Sequence, residues 1–230
     1  VETVTNGRSP RVDRVAEQLR DGIRRGRYVP GQRLVEVDLT GELAVSRQSL
    51  REALRRLAGE GLVTIQPYQG ATVRKWSRRE IDEIFALREL LEGEAARLAA
   101  SRIDDDDIRP RFEASLSVFT EFATREPEPL RYDEENTRLH HLIVDASGNR
   151  QLRTTLETLH IQAIRHEAGR LWPSRAIQRS ITQHITVIER ILAGDPNGAE
   201  RAMKRHVSSF RQELLDTLAP EPPSLGSNGE

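Results

Sequence analysis

The sequence predicts a mainly α-helical fold in two parts: an N-terminal winged helix-turn-helix of three helices plus a β-hairpin, and a C-terminal antiparallel bundle of six or seven helices. Three observations carry that prediction. Apolar residues recur at helical spacing through most of the chain. Stretches of strand character occur only at Leu62–Ile65 and Ala71–Val73, on either side of a Pro67-Tyr68-Gln69-Gly70 turn. From Ser77 onward the segments between breakers all read as helix, with no further strand signal.

The first helix opens at Ser9-Pro10, a capping residue followed by proline at the first helical position. It carries Val12, Val15, Ala16, Leu19 and Ile23 on one face until Gly26 ends it. After the turn Tyr28-Val29-Pro30-Gly31, a short helix covers roughly Val37 to Leu43, weakened by Gly41. Ser46 caps a third helix with the stripe Leu50, Ala53, Leu54, Leu57 and Ala58, stopped by Gly61. The hairpin follows. Ser77 and Glu80 then form a capping box that opens a long helix, with Ile81, Ile84, Leu87, Leu91, Ala95 and Leu98 as its apolar face. Later helices are expected over 105–124, 130–146, 150–171, 176–193 and 196–218, separated by Pro127-Glu128-Pro129, Ser147-Gly148-Asn149, Pro173 and Gly194-Asp195-Pro196. The run Asp104–Asp107 reads as a solvated helix start. The expected division is a flexible terminus over 1–9, a DNA-binding type of domain over 10–75, a linker over 76–78, the helical domain over 79–218 and a disordered tail over 219–230.

Composition narrows the function classes. With 37% hydrophobic and 31% charged residues, the chain suits a globular protein with charged helical faces. There is no apolar run of about 18 residues for a membrane span, and no signal-peptide pattern, so the cytoplasm is the expected location. The absence of cysteine excludes disulfides, thiolate metal ligands and cysteine nucleophiles. Charge is uneven: residues 1–75 hold 14 basic against 9 acidic side chains, and the remainder 21 against 27. Phosphate neutralisation needs local charge, so the basic N-terminal third points modestly to nucleic acid.

In the third helix, Leu50, Ala53, Leu54 and Leu57 turn inward while Arg47 and Arg51 share an exposed face. Both arginines are placed to enter a major groove and donate paired hydrogen bonds to guanine. Gln48 and Ser49 reach base edges or phosphates, and the amides after Ser46 can meet a phosphate. A solvated arginine-rich face is an equal reading of the same residues. The series Pro30-Gly31-x-x-Leu34, Leu39, Leu43-Ala44-Val45-Ser46-Arg47-x-x-Leu50-Arg51-Glu52-Ala53-Leu54-x-x-Leu57 and Gly61-Leu62-Val63 resembles the signature of the GntR family of transcription regulators. That resemblance implies DNA contacts from Arg47 and Arg51, with Ser46, Gln48 and Ser49 as neighbours and Gly70 at the wing tip in the minor groove. Val35 and Val37 stand where the family usually has a capping serine and a DNA-contacting arginine.

Six histidines are present. His140 follows Asn136 by one helical turn, and His184 and His206 lie on two later helices, so bundle packing can bring all four together. Three imidazoles plus one oxygen suit a divalent transition metal, zinc or nickel, with positions left open for water or an anion. Three unrelated polar histidines are the other reading. His141, His160 and His166 have structural or surface roles. Arg88 sits near the apolar stripe of the first bundle helix, either to meet an effector carboxylate or to pair with an internal Glu; Arg165 is a weaker candidate of the same kind.

Asn136-x-x-x-His140, Ala146-Ser147-Gly148-Asn149, His184-x-x-x-Ile188, Gly194-Asp195, Ala199, Ala202-Met203 and His206 resemble the FCD effector domain of FadR-type GntR regulators, as does the opening Arg88-x-x-x-Glu92-x-x-Ala95-Ala96-x-Leu98-Ala99-Ala100. The resemblance implies a metal held by Asn136, His140, His184 and His206, with Asn136 where many relatives have Asp. It further implies a homodimer on an inverted-repeat operator, and a repressor released by a small organic acid. Rival readings are a metal-dependent hydrolase, a purely structural metal and a helical interaction scaffold; against the first, the chain has no HExxH.

Overall fold

The computed structural model describes residues 10–105, 107–125, 127–159, 164 and 174–217. These fall mainly into two compact units, one ending at Trp76 and one beginning at Ser77. The terminal segments 1–9 and 219–230, His160, Arg165 and His166 lie outside the described residues.

The first unit contains α1 (Pro10–Arg24), β1 (Arg33–Leu34), α2 (Glu36–Glu42), α3 (Arg47–Gly59), β2 (Val63–Gln66) and β3 (Gly70–Val73). Helix α1 packs against α3, burying Val12, Val15, Ala16 and Leu19 with Leu50, Ala53, Leu54 and Leu57. Each of these valines and leucines contributes roughly 1.5–3 kcal/mol when fully buried. Arg20 fastens the end of α3 to α1, with Nε and Nη2 donating to the Glu60 carboxylate at 2.9 and 2.7 Å. The hairpin forms in the expected place, with Val63 opposite Val73 and Gln66 opposite Gly70. A third strand joins it, giving the antiparallel order β1-β3-β2 with Arg33 opposite Thr72. A two-residue strand is too short to show alternation, so its pairing arises from the Gly31 turn, whose N–H donates to the Val73 carbonyl at 2.9 Å.

Helix α2 begins one residue earlier than its apolar pattern indicates, at Glu36 after Val35. Val35 makes no side-chain cap hydrogen bond, which forgoes roughly 0.5–2 kcal/mol relative to Ser, Asp or Asn. Ser46, by contrast, caps α3 by accepting from the Ser49 N–H at 3.2 Å.

The second unit contains α4 (Arg78–Ser101), α5 (Ile108–Thr124), α6 (Pro129–Ala146), α7 (Arg150–Thr158), α8 (Ser174–Leu192) and α9 (Pro196–Thr217). Helix α4 starts on the expected capping box: Ser77 Oγ accepts from the Glu80 N–H at 3.1 Å, and the Ser77 N–H donates to the Glu80 carboxylate at 2.9 Å. It runs antiparallel to α9, since Asp82 pairs with Arg211, the Phe85 ring stacks on Phe210 at 5.1 Å, and Gly93 lies against Lys204. Helices α8 and α9 are also antiparallel, with Gln183 bonded to Ser209 at 2.9 Å and Arg179 paired with Glu213. Phe112, Phe119, Phe122, Leu139, Ile143 and Ile181 fill the middle.

Two expectations are corrected here. The buried face of α4 is Ile81, Phe85, Arg88, Glu92, Ala95, Ala96, Ala99 and Ala100, while Leu87 is 50% exposed and Ile84, Leu91 and Leu98 are half-buried. The helix carries two stripes, and the inward one contains an Arg and a Glu that neutralise each other. The Asp104–Asp107 run precedes α5 rather than starting it: Asp107 sits at φ 68° without a side-chain cap bond, Asp104 pairs with Arg109, and Asp105 pairs with Arg102.

Candidate functional site

The exposed end of α3 presents Ser46, Arg47, Gln48 and Arg51, with Ser49 half-buried behind its bond to Ser46. Arg51 does not stand alone. Its Nε donates to both oxygens of Glu36 in the first turn of α2, at 2.9 and 3.0 Å. Sequence reasoning passed over Glu36, although an acid at the start of α2 is the natural partner for a cation presented by α3. An open cleft beside this pair is lined by Arg33, Val35, Val37, Arg55, Ile65 and Tyr68, among others. Gly70 lies at φ 86° at the first position of β3, opposite Gln66. In the turn itself Tyr68 is fully exposed at φ 63°. It takes a left-handed position that Gly or Asn fills with less strain.

The second constellation lies inside the bundle. His140 on α6, His184 on α8 and His206 on α9 are 7%, 0% and 3% exposed, and their ring nitrogens gather at one place. His140 Nε2 lies 3.3 Å from Nε2 of both His184 and His206. At this separation the imidazoles would be able to share one divalent cation. Asn136 is buried one turn before His140 on the same face of α6.

Neighbouring groups set the ring tautomers. His140 Nδ1 donates to Glu92 Oε2 at 2.5 Å. His206 Nδ1 faces Gln183 Oε1 at 3.3 Å, and the Gln183 amide nitrogen is used in donating to Ser209. On neutral rings these two acceptors would place the protons on Nδ1 and turn both Nε2 atoms toward one point. Three imidazoles whose ring nitrogens gather in one buried cluster are a donor set that fits a metal ion. Phe119, with its ring centre 4.8 Å from that of His184, gives the cluster an apolar wall.

Arg88 and Glu92 complete the surroundings. Arg88 Nε donates to Glu92 Oε1 at 2.5 Å, and its Nη2 lies 3.4 Å from His140 Nδ1. Burial alone would push the Glu92 carboxyl up; the Arg88 guanidinium and His140 overcome that and hold it well below the usual carboxylate range. Arg88 forms an internal ion pair with Glu92. Sequence reasoning counted Glu92 only as part of a pattern, and its contact with His140 depends on packing between α4 and α6 that spacing cannot reveal.

The model of the FCD domain matches residues 83–209, and that of the bacterial regulatory proteins of the gntR family matches residues 11–73. The Nta operon transcriptional regulator of Aminobacter aminovorans is 34% identical over 159 residues, covering 69% of this chain and 74% of that relative. The HTH-type transcriptional repressor RspR of Escherichia coli (strain K12) is 27% identical over 232 residues, covering 96% and 99%. Among solved structures, a GntR transcriptional regulator from Rhodococcus sp. RHA1 superposes with a TM-score of 0.69 at 21% identity, over 92% of this chain and 100% of that one. These relatives regulate transcription and are not enzymes, which sets the hydrolase reading aside. With a helix-turn-helix of the gntR type at one end and an FCD domain at the other, the chain belongs to the GntR family of bacterial transcription regulators.

Proposed function

We propose that this regulator is a homodimeric repressor that binds an inverted-repeat operator and leaves it when a small organic acid enters the histidine-lined site. The observation that carries the reading is the gathering of the His140, His184 and His206 ring nitrogens inside the bundle, with Glu92 and Gln183 bonded to the outer ring nitrogens of His140 and His206. His140, His184 and His206, with the Asn136 amide oxygen as fourth donor, would hold a divalent metal, zinc or nickel. Bound there, the metal supplies an electrophilic centre for a carboxylate oxygen. A neutral amide compensates the cation less than a carboxylate would, which favours an anionic partner in the remaining position. Arg88 adds positive charge beside the cluster while tied to Glu92.

On the DNA side, Arg47 and Arg51 reach the major groove, Ser46, Gln48 and Ser49 contact phosphates or base edges, and the wing at Gly70 approaches the minor groove. Two copies related by a two-fold axis read half-sites about one helical turn apart. The exposed Leu87 and Leu90 on α4 are available for self-association. The effector shifts DNA affinity only by the difference in its binding to two arrangements of the dimer. That RspR is a named repressor supports the sign of control.

The test is metal analysis by mass spectrometry on protein purified without a metal-affinity column, with operator binding followed by fluorescence anisotropy. About one transition metal per chain is expected in the wild type and none in His140→Ala. Small carboxylates should weaken wild-type DNA binding and leave that of His140→Ala unchanged. Metal-free wild type, or metal retained by the variant, overturns the site. Loss of helical structure on chelation, with no carboxylate effect, assigns the metal a purely structural role.

A further inference from the structure

The cleft beside Arg51 holds three exposed apolar side chains, of which the two valines of α2 have no explanation in local stability. Val35 occupies the N-cap of α2 without a cap bond, Val37 is 63% exposed in the first turn of that helix, and Ile65 is 44% exposed on β2. Valine is among the poorest N-cap residues and gains nothing from standing in water on a helix. Departures from local rules that bring no stability mark functional positions. All three line the same cleft as the basic side chains Arg33, Arg51 and Arg55, so the apolar patch is surrounded by charges suited to phosphates and guanine.

The arrangement of Arg51 sharpens the chemistry. A guanidinium has five N–H donors, and the one on Nε is committed to Glu36. The four on the terminal nitrogens are not used by Glu36, and these form the parallel bonds to O6 and N7 of guanine. A valine beside such a fork has no hydrogen bond to offer. In the major groove guanine, cytosine and adenine present polar edges, and thymine alone adds an apolar group, its C5-methyl.

We infer that Val37 is a specificity-determining residue that packs on the C5-methyl of a thymine in the half-site read by α3. This rests on the reading of α3 as the DNA-contacting helix and adds a base preference to it. The methyl is covered in the complex and exposed in free DNA, so the contact favours T over C by a group the size of one carbon. Glu36, one residue before Val37, fixes Arg51 and so sets the arginine and the valine in a constant relation to each other.

The experiment uses the full chain and duplexes that it selects from a random-sequence pool. In the recovered site each thymine is replaced in turn by uracil, which removes the methyl and nothing else, and affinity is measured by anisotropy at fixed salt. At one thymine per half-site the wild type should lose about three- to fivefold on replacement, the size of one buried methyl. Val37→Ser should show no loss there, with unchanged helix content by circular dichroism. Equal uracil effects in wild type and Val37→Ser at every position, or no effect at any position, overturn the inference while leaving sequence-specific binding intact. Recovery of no preferred sequence by the wild type overturns the DNA-reading assignment itself, and the inference with it.

Discussion

Glu92→Ala should be among the most damaging single substitutions in the helical unit. The side chains of Arg88 and Glu92 are 3% and 5% exposed, and the carboxylate accepts from both Arg88 and His140 at 2.5 Å. Removing the acid leaves a guanidinium buried beside three imidazoles, and an unpaired buried charge of this kind costs about 3–5 kcal/mol. The Phe85 and Phe210 rings, 5.2 and 6.0 Å from the Arg88 guanidinium, retain part of its stabilisation and place the expectation near the lower figure. Urea unfolding followed by far-ultraviolet circular dichroism should show the loss. Replacing both partners by leucine should recover most of it, because a buried ion pair exchanged for apolar groups is roughly neutral. A loss below about 1 kcal/mol in Glu92→Ala, or a double variant worse than the single one, would refute the reasoning. The pH dependence has a definite sign. Since the folded carboxyl titrates below its ordinary 4.5, its contribution is complete above that pH and declines as pH falls below it.

Three further outcomes are expected. Ser46→Ala should destabilise the winged-helix unit by about 1 kcal/mol through loss of the α3 cap, read from its denaturation midpoint. Val35→Ser should raise the stability of the same unit by about 1 kcal/mol by supplying the cap that α2 lacks, and an unchanged midpoint would count against the cap argument. Metal occupancy, measured by competition with a chromogenic chelator, should fall as pH drops, since only the neutral imidazole binds a cation.

Much of the fold is legible in the sequence because its punctuation is local. Ser46 and Ser77 cap the helices they precede, Glu80 completes the capping box inside α4, and Gly61 closes α3 at φ 74°. The hairpin follows from β-branched residues around a proline turn. The remaining features depend on partners distant in the chain. β1 is a strand because of what β3 offers it, not because of its own two residues. The inward face of α4 is hard to read because it includes Arg88 and Glu92, whose mutual neutralisation is seen only once the side chains are placed. The histidine cluster lay between these cases. Spacing put Asn136 and His140 on one face, whereas the convergence of His140, His184 and His206 required three helices to pack. The roles of Glu36 and Glu92 follow from contacts across 15 and 48 residues of chain.

In a chain without cysteine, the histidine cluster has a topological consequence. His140 is separated from His184 by 44 residues and from His206 by 66. A cation shared by the three would close two nested loops, and each closure removes conformations from the unfolded chain as a covalent cross-link does. Unlike a disulfide, this tie opens and closes with solution composition rather than redox state. Hydrogen exchange in α6, α8 and α9 would then slow together on metal addition, as three helices fastened by one reversible knot.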